Sequence, residues 1–213
     1  MRSQVIGCLA PMRAGARGWG WFNKAVKKMN TPAAPIKSYD FAVPAPEEPR
    51  PRAFFNVQIG AADPERIVLE IASDITPKTA QNFLQLCSGD NNHNLTYKNT
   101  RVHQIQKNCF VSAGDVIKGD GTGGQSVFGE HFEDENFALR FTEPGVLGMA
   151  NAGVDSNGSQ FFITLQPMPQ LNGRNVAFGK IVEGMEVMRK IENVYCVKGK
   201  PLTDVQLVDC GLL

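Results

Sequence analysis

From residue 53 onward the chain is a succession of short alternating runs. Residues 53–59 alternate apolar and polar positions, a turn runs from Gly60 to Pro64, and the apolar-rich run 66–71 is the partner strand, which predicts a hairpin. The period then changes. Thr79, Phe83, Leu84, Leu86 and Cys87 recur at helical spacing, with Thr76 as cap, Pro77 as first helical residue and Gly89 as stop. Residues 90–100 are polar and loop-like. Runs 101–105 and 109–113 read as short strands around Lys107-Asn108, and residues 114–124 are rich in glycine. Residues 147–150 and 160–164 are extended and apolar, with Gly153 and Asn157-Gly158 as turn signals between them. After a proline-containing loop at 166–174 come a strand at 176–181, a helix at 182–192 striped by Met185, Val187, Met188 and Ile191, and a last strand at 202–208. Many short strands with two helices predict a mainly β fold, a closed antiparallel barrel with capped ends.

The first 52 residues follow no such pattern. Seven positive charges and no negative one occupy residues 1–39, among them Arg2, Arg13, Arg17 and Lys24. Residues 19–29 fit an amphipathic helix with Lys24, Lys27 and Lys28 on one face. An Arg-rich, acid-poor, amphipathic extension is the description of a mitochondrial presequence, which predicts a matrix location. A basic tail on a cytoplasmic protein, or an arm that docks on a larger assembly, is the alternative. Residues 40–52 are proline-rich and predict an extended linker or arm, leaving 53–213 as the folded domain.

Composition narrows the function classes. The net charge of +1 over 213 residues gives no nucleic-acid footprint, and no apolar run is long enough to span a membrane. The five cysteines are scattered without CxxC spacing and the three histidines form no ligand cluster. That argues for reduced thiols and against structural zinc. The glycine-rich run lacks the Gly-Lys-Ser/Thr of a phosphate loop. No metal or cofactor is expected.

Polar residues inside the apolar 147–164 region draw attention. Asn151, Ser159 and Gln160 satisfy buried backbone or offer donors to an extended ligand. Phe110 and Phe162 serve equally well as plain barrel core. Two longer motifs narrow these alternatives. Met149-Ala150-Asn151-Ala152-Gly153 with Asn157-Gly158-Ser159-Gln160-Phe161-Phe162-Ile163, and Gly121-Thr122-Gly123-Gly124 followed by the 128–137 run, resemble the signature of cyclophilins, the cyclosporin-class peptidyl-prolyl isomerases.

The resemblance implies an eight-stranded barrel and a groove for proline-containing peptides. Matching ligand-contacting positions are Gly121, Ala150, Asn151, Ala152, Gln160, Phe162 and Leu171. The family sets an arginine directly after a histidine. Here His103 is kept and Gln104 stands at the arginine position. Gln104 is therefore the candidate catalytic residue, a donor without the charge and with shorter reach. Phe110 and Ser112 fall where the family has a Phe-Met-x-Gln pattern, and Gln170 and Asn175 replace a tryptophan and a histidine. The missing tryptophan argues against cyclosporin binding. The expected function is a weakened prolyl isomerase assisting protein folding or remodelling, with a non-catalytic proline-peptide-binding or structural subunit as the alternative.

Overall fold

The computed structural model describes residues 48–213. The predicted presequence at 1–39, and residues 40–47 of the proline-rich arm, lie outside the described residues. The end of that arm is tied to the domain. Arg50 Nε and Nη2 donate to the two carboxylate oxygens of Asp74 at 2.7 and 2.9 Å, and the Pro51 carbonyl accepts from Ile71 N at 3.0 Å.

The first two runs become strands β1 (Arg52–Ile59) and β2 (Glu65–Ile71), followed by helix α1 (Pro77–Ser88). Then come β3 (Thr100–Arg101), β4 (Gln104–Gln106), β5 (Phe110–Ala113), β6 (Val146–Asn151) and β7 (Asn157–Thr164). A 3-10 turn (Pro169–Leu171) precedes β8 (Ala177–Glu183), helix α2 (Met185–Glu192), β9 (Cys196–Val197), β10 (Lys200–Pro201) and β11 (Val205–Leu212). Nine strands form one antiparallel sheet in the order β3-β11-β1-β2-β8-β6-β7-β5-β4, and β9 and β10 form a separate hairpin. The sheet's outer strands, β3 and β4, belong to one continuous segment. Its residues reach both ways: Val102 N donates to Val205 O, and His103 N to Ser112 O. This change of partner splits the single strand expected at 101–105, so nine strands are seen where eight were expected.

One face of the sheet packs into a core of Phe55, Phe83, Tyr97, Phe161, Phe178 and neighbours, all almost fully buried. The Phe161 ring stacks on Phe55 and meets Phe83 and Tyr97 edge-on, with centroids 5.2 to 5.7 Å away. The buried stripe of α1 carries Phe83, Leu86 and Cys87, as its spacing predicted.

Local signals misled at four places. Thr76 precedes α1 but makes no side-chain cap; its hydroxyl donates to Ala72 O instead. The carboxylate of Glu135 serves the helix start, accepting from Lys78 N and Thr79 N at 2.9 Å each and from Thr79 Oγ1 at 2.8 Å. Asn157-Gly158, read as a turn, opens β7, because Asn157 pairs with Phe132 and its amide donates to Asp134 Oδ1 at 2.9 Å. Helix α2 begins at Met185 because Glu183 is still paired with Val68. The last strand runs on through Cys210 and Gly211, which pair with Phe55 and Phe54. Cys87, Cys196 and Cys210 are free thiols, while Cys109 is disulfide-bonded, which departs from the expected set of reduced thiols.

Candidate peptide-binding groove

Residues of β4 to β7 alternate between the core and the opposite face. Ile105, Val111, Phe161 and Ile163 belong to the core. Their neighbours face the other way. Gln104 pairs with Ser112, Ser112 with Phe162, and Phe162 with Gly148, so these four stand in one row across the strands. Phe110, two residues from Ser112, shares that face. A second apolar cluster forms there from Phe110, Phe141, Val146, Ala150, Phe162, Met168 and Ala177, with Leu171 against it. Phe162 lies between Phe110 and Phe141, with ring centroids 5.8 and 5.4 Å away. Gly148 is required beneath these rings, since a Cβ there would come within 2.5 Å of Phe162 and 2.7 Å of Phe141.

Polar groups at one end of this wall are unpaired. Gln104 is 8% exposed and Ser112 0% exposed. Neither Gln104 Nε2 nor Ser112 Oγ has a hydrogen-bond partner among the described residues. The same holds for both ring nitrogens of His103. Burial pushes the His103 imidazole down to about 4, against the opposing pull of Asp115 and Asp120. The ring is therefore neutral at physiological pH. It packs against Gly121, where an added Cβ would meet His103 Cδ2 at 2.5 Å and where φ is +86°. Only glycine fits that position.

The glycine-rich loop is organised by a buried carboxylate. Asp115 accepts from the backbone of Ile117, Lys118, Gly121 and Gly123 at 2.9 to 3.1 Å. These bonds hold its carboxyl below the usual range although desolvation pushes the other way. Gln160 fastens the loop from β7, its Nε2 donating to Gly121 O at 3.2 Å and Gly123 O at 2.6 Å.

Most sequence-predicted residues come together. Gln104, Ser112, Phe110, Phe162, Ala150 and Leu171 line or border one wall, and Gln160 and Gly121 close one end through the loop. Asn151 and Asn175 are there in a different capacity. Asn175 Nδ2 donates to Met149 O at 2.9 Å and Asn151 Nδ2 to Arg174 O at 3.2 Å, so both amides hold backbone. Ala152 lies exposed in the β6–β7 hairpin, its N–H donating to Ser156 Oγ at 3.0 Å. Gln170 is exposed on the 3-10 turn. Sequence reasoning missed Phe141 and Met168, which sit in aperiodic loops and carry no pattern. It also missed Arg174, whose Nη1 is buried without a hydrogen-bond partner among the described residues. Those residues contain no group of three or more His, Cys, Asp or Glu side chains able to hold a metal ion.

Residues 54–212 match the family model described as cyclophilin type peptidyl-prolyl cis-trans isomerase/CLD. The chain belongs to the cyclophilin family. It is 44% identical over 174 residues to the peptidyl-prolyl cis-trans isomerase D of Kluyveromyces lactis, an alignment covering 78% of this chain and 47% of that protein. The chain thus spans about half the length of this curated relative.

Proposed function

We propose that the protein is a peptidyl-prolyl cis–trans isomerase of reduced efficiency acting on proline-containing chains. The supporting observation is the juxtaposition of unpaired Gln104 Nε2 and Ser112 Oγ with the Phe110–Phe162 wall. Buried donors without partners cost about 1–3 kcal/mol each, so a peptide that satisfies them gains on binding. The aromatic wall suits a proline ring. The amide barrier of about 18–20 kcal/mol comes from partial double-bond character. Rotation needs no nucleophile and no bond breaking; it needs donors that engage the twisted amide more strongly than the planar one. Gln104 supplies such a donor without charge. Losing one preorganised electrostatic donor typically lowers a rate by about 10²–10³-fold, which sets the expected deficit.

The test is NMR exchange on a short Xaa–Pro peptide with wild type and Gln104→Arg. Weak acceleration by wild type and an increase of about a hundredfold in the variant support the reading. Binding without acceleration in both proteins supports the second reading, a recognition or structural subunit. That reading is favoured by the amides of Asn151, Gln160 and Asn175, which are already engaged within the domain. Absence of binding in both proteins overturns the groove assignment. With exposed Gln170 at the tryptophan position, cyclosporin is expected to bind poorly.

The role in protein folding or remodelling, and the division into a presequence at 1–39, a linker at 40–52 and a domain at 53–213, belong to the same proposal. The acid-free extension supports import into the mitochondrial matrix. Amino-terminal sequencing of the cellular protein tests it: a start after residue 30 in a mitochondrial fraction is expected, and an intact Met1 in the cytosol refutes it. In the second reading the uncleaved arm docks on a larger assembly.

A further inference from the structure

The β9–β10 hairpin abuts the Gln104 end of the groove. Ile105 N, next to Gln104, donates to Gly199 O in the hairpin turn at 2.8 Å. Pairing fixes which residues look outward. Cys196 is opposite Pro201 and packs towards the core. Val197 is opposite Lys200, and Leu202 N donates to Tyr195 O. Tyr195, Val197, Lys200 and Leu202 therefore share the outer face. Tyr195 is 72%, Val197 48% and Leu202 66% exposed. Three large apolar side chains on one short hairpin form a patch, unlike singly scattered surface residues.

The surroundings are cationic. Lys107 in the β4–β5 turn, Lys198 in the hairpin turn and Lys200 are exposed, and none of them makes an ion pair among the described residues. Nearby carboxylates are already engaged. Glu192 takes Arg189 and Asn108 N, and Asp204 takes Arg101. Asp115, bonded to backbone N–H groups, and Asp120, bonded to Thr122, keep their negative charge and act on His103. Lys200 is the least of the charges felt by His103, adding to the effect of burial against the larger opposing pulls of Asp115 and Asp120.

We propose that the β9–β10 hairpin and the Lys107 turn form a subsite for acidic chain carrying apolar residues, continuous with an Xaa–Pro segment in the groove. The proposal rests on the peptide-groove reading above and names its substrate class. The three lysines supply the charge complementarity, and Tyr195, Val197 and Leu202 the apolar contact.

Three synthetic peptides sharing one Xaa–Pro core test it, flanked on both sides by Glu-Leu-Glu, Ser-Gly-Ser or Lys-Leu-Lys and titrated by NMR into the full-length protein. The acidic peptide should bind about fivefold more tightly than the neutral one, as expected for a few exposed ion pairs, and the advantage should shrink with added salt. Lys107→Glu with Lys200→Glu should erase the advantage and leave the neutral peptide unchanged. Tyr195→Ser with Leu202→Ser should weaken the acidic peptide alone. Equal binding of all three peptides, or a preference that survives charge reversal, overturns the subsite and leaves the groove reading standing. No binding of the neutral peptide overturns the groove reading, and the subsite with it.

Discussion

The two faces of β4, β5, β6 and β7 make opposite use of the same strands. Inward, Ile105, Val111, Phe161 and Ile163 join one core with residues of both helices, and the hydroxyls of Ser159 and Tyr97 that enter it are paired. Ser159 Oγ donates to Gly114 O at 2.6 Å and Tyr97 Oη to Ser159 O at 2.7 Å. Outward, one step along each strand, Gln104, Ser112 and the His103 ring nitrogens are buried with no partner among the described residues. The inner face is settled for stability. The outer face holds unpaired donors and an aromatic wall, a composition that costs free energy in the unliganded protein and favours whatever completes it. Residues adjacent in sequence should therefore respond differently to substitution.

The largest separation is expected at Phe161 and Phe162. Phe161→Ala removes the centre of the aromatic core and should cost about 3–5 kcal/mol in urea unfolding, while the folded fraction binds proline peptide with unchanged affinity. Phe162→Ala should also destabilise, and it should lose peptide binding. Equal binding by both variants would erase the distinction between the faces.

Next comes acid. His103 titrates near 6.5 when unfolded and about 4 when folded, so the folded protein binds fewer protons between those values. Stability from this group is full above pH 6.5 and falls as pH drops, by about 3 kcal/mol at pH 4. Wild type should lose stability over that window and His103→Gln should lose markedly less. Parallel losses would show that the histidine is not the responsible group. Asp74 and Asp115, with lowered values, contribute only at lower pH.

Glu135→Ala should cost about 1–2 kcal/mol, the range of a lost helix cap, with Glu135→Gln between the two. The smallest effect has the opposite sign. Ser112→Ala deletes a buried unpaired hydroxyl and should be neutral or stabilising by up to about 1 kcal/mol, while weakening peptide binding. A clear loss of stability would mean that the hydroxyl has a partner in solution.

Much of this division was legible in the sequence. Alternation marked β1, short apolar runs marked β2 and β5, helical spacing marked α1, and the family resemblance assigned Gln104, Phe110 and Phe162 to one groove. What failed was local chemistry overruled at a distance. Asn157-Gly158 has turn composition, yet contacts with Phe132 and Asp134 hold it in a strand. Thr76 has the right type for a cap, yet a carboxylate from a remote loop takes that place. Within the site, motif positions gave membership and not employment. Gln160, Asn151 and Asn175 look like ligand donors in sequence, and only their hydrogen bonds reveal that each is already holding backbone.

The remote cap on α1 also bears on the order of assembly. Glu135 is 57 residues from Lys78 along the chain. A helix capped by its own flanking residue nucleates alone; this one meets its cap only after the loop before β6 has folded back across the sheet. Closing a loop of that length must precede the contact, and long-range contacts of this kind slow folding. The first turn of α1 is thus expected to consolidate late, after its buried stripe has docked. Glu135→Ala should accordingly accelerate unfolding and leave the refolding rate nearly unchanged.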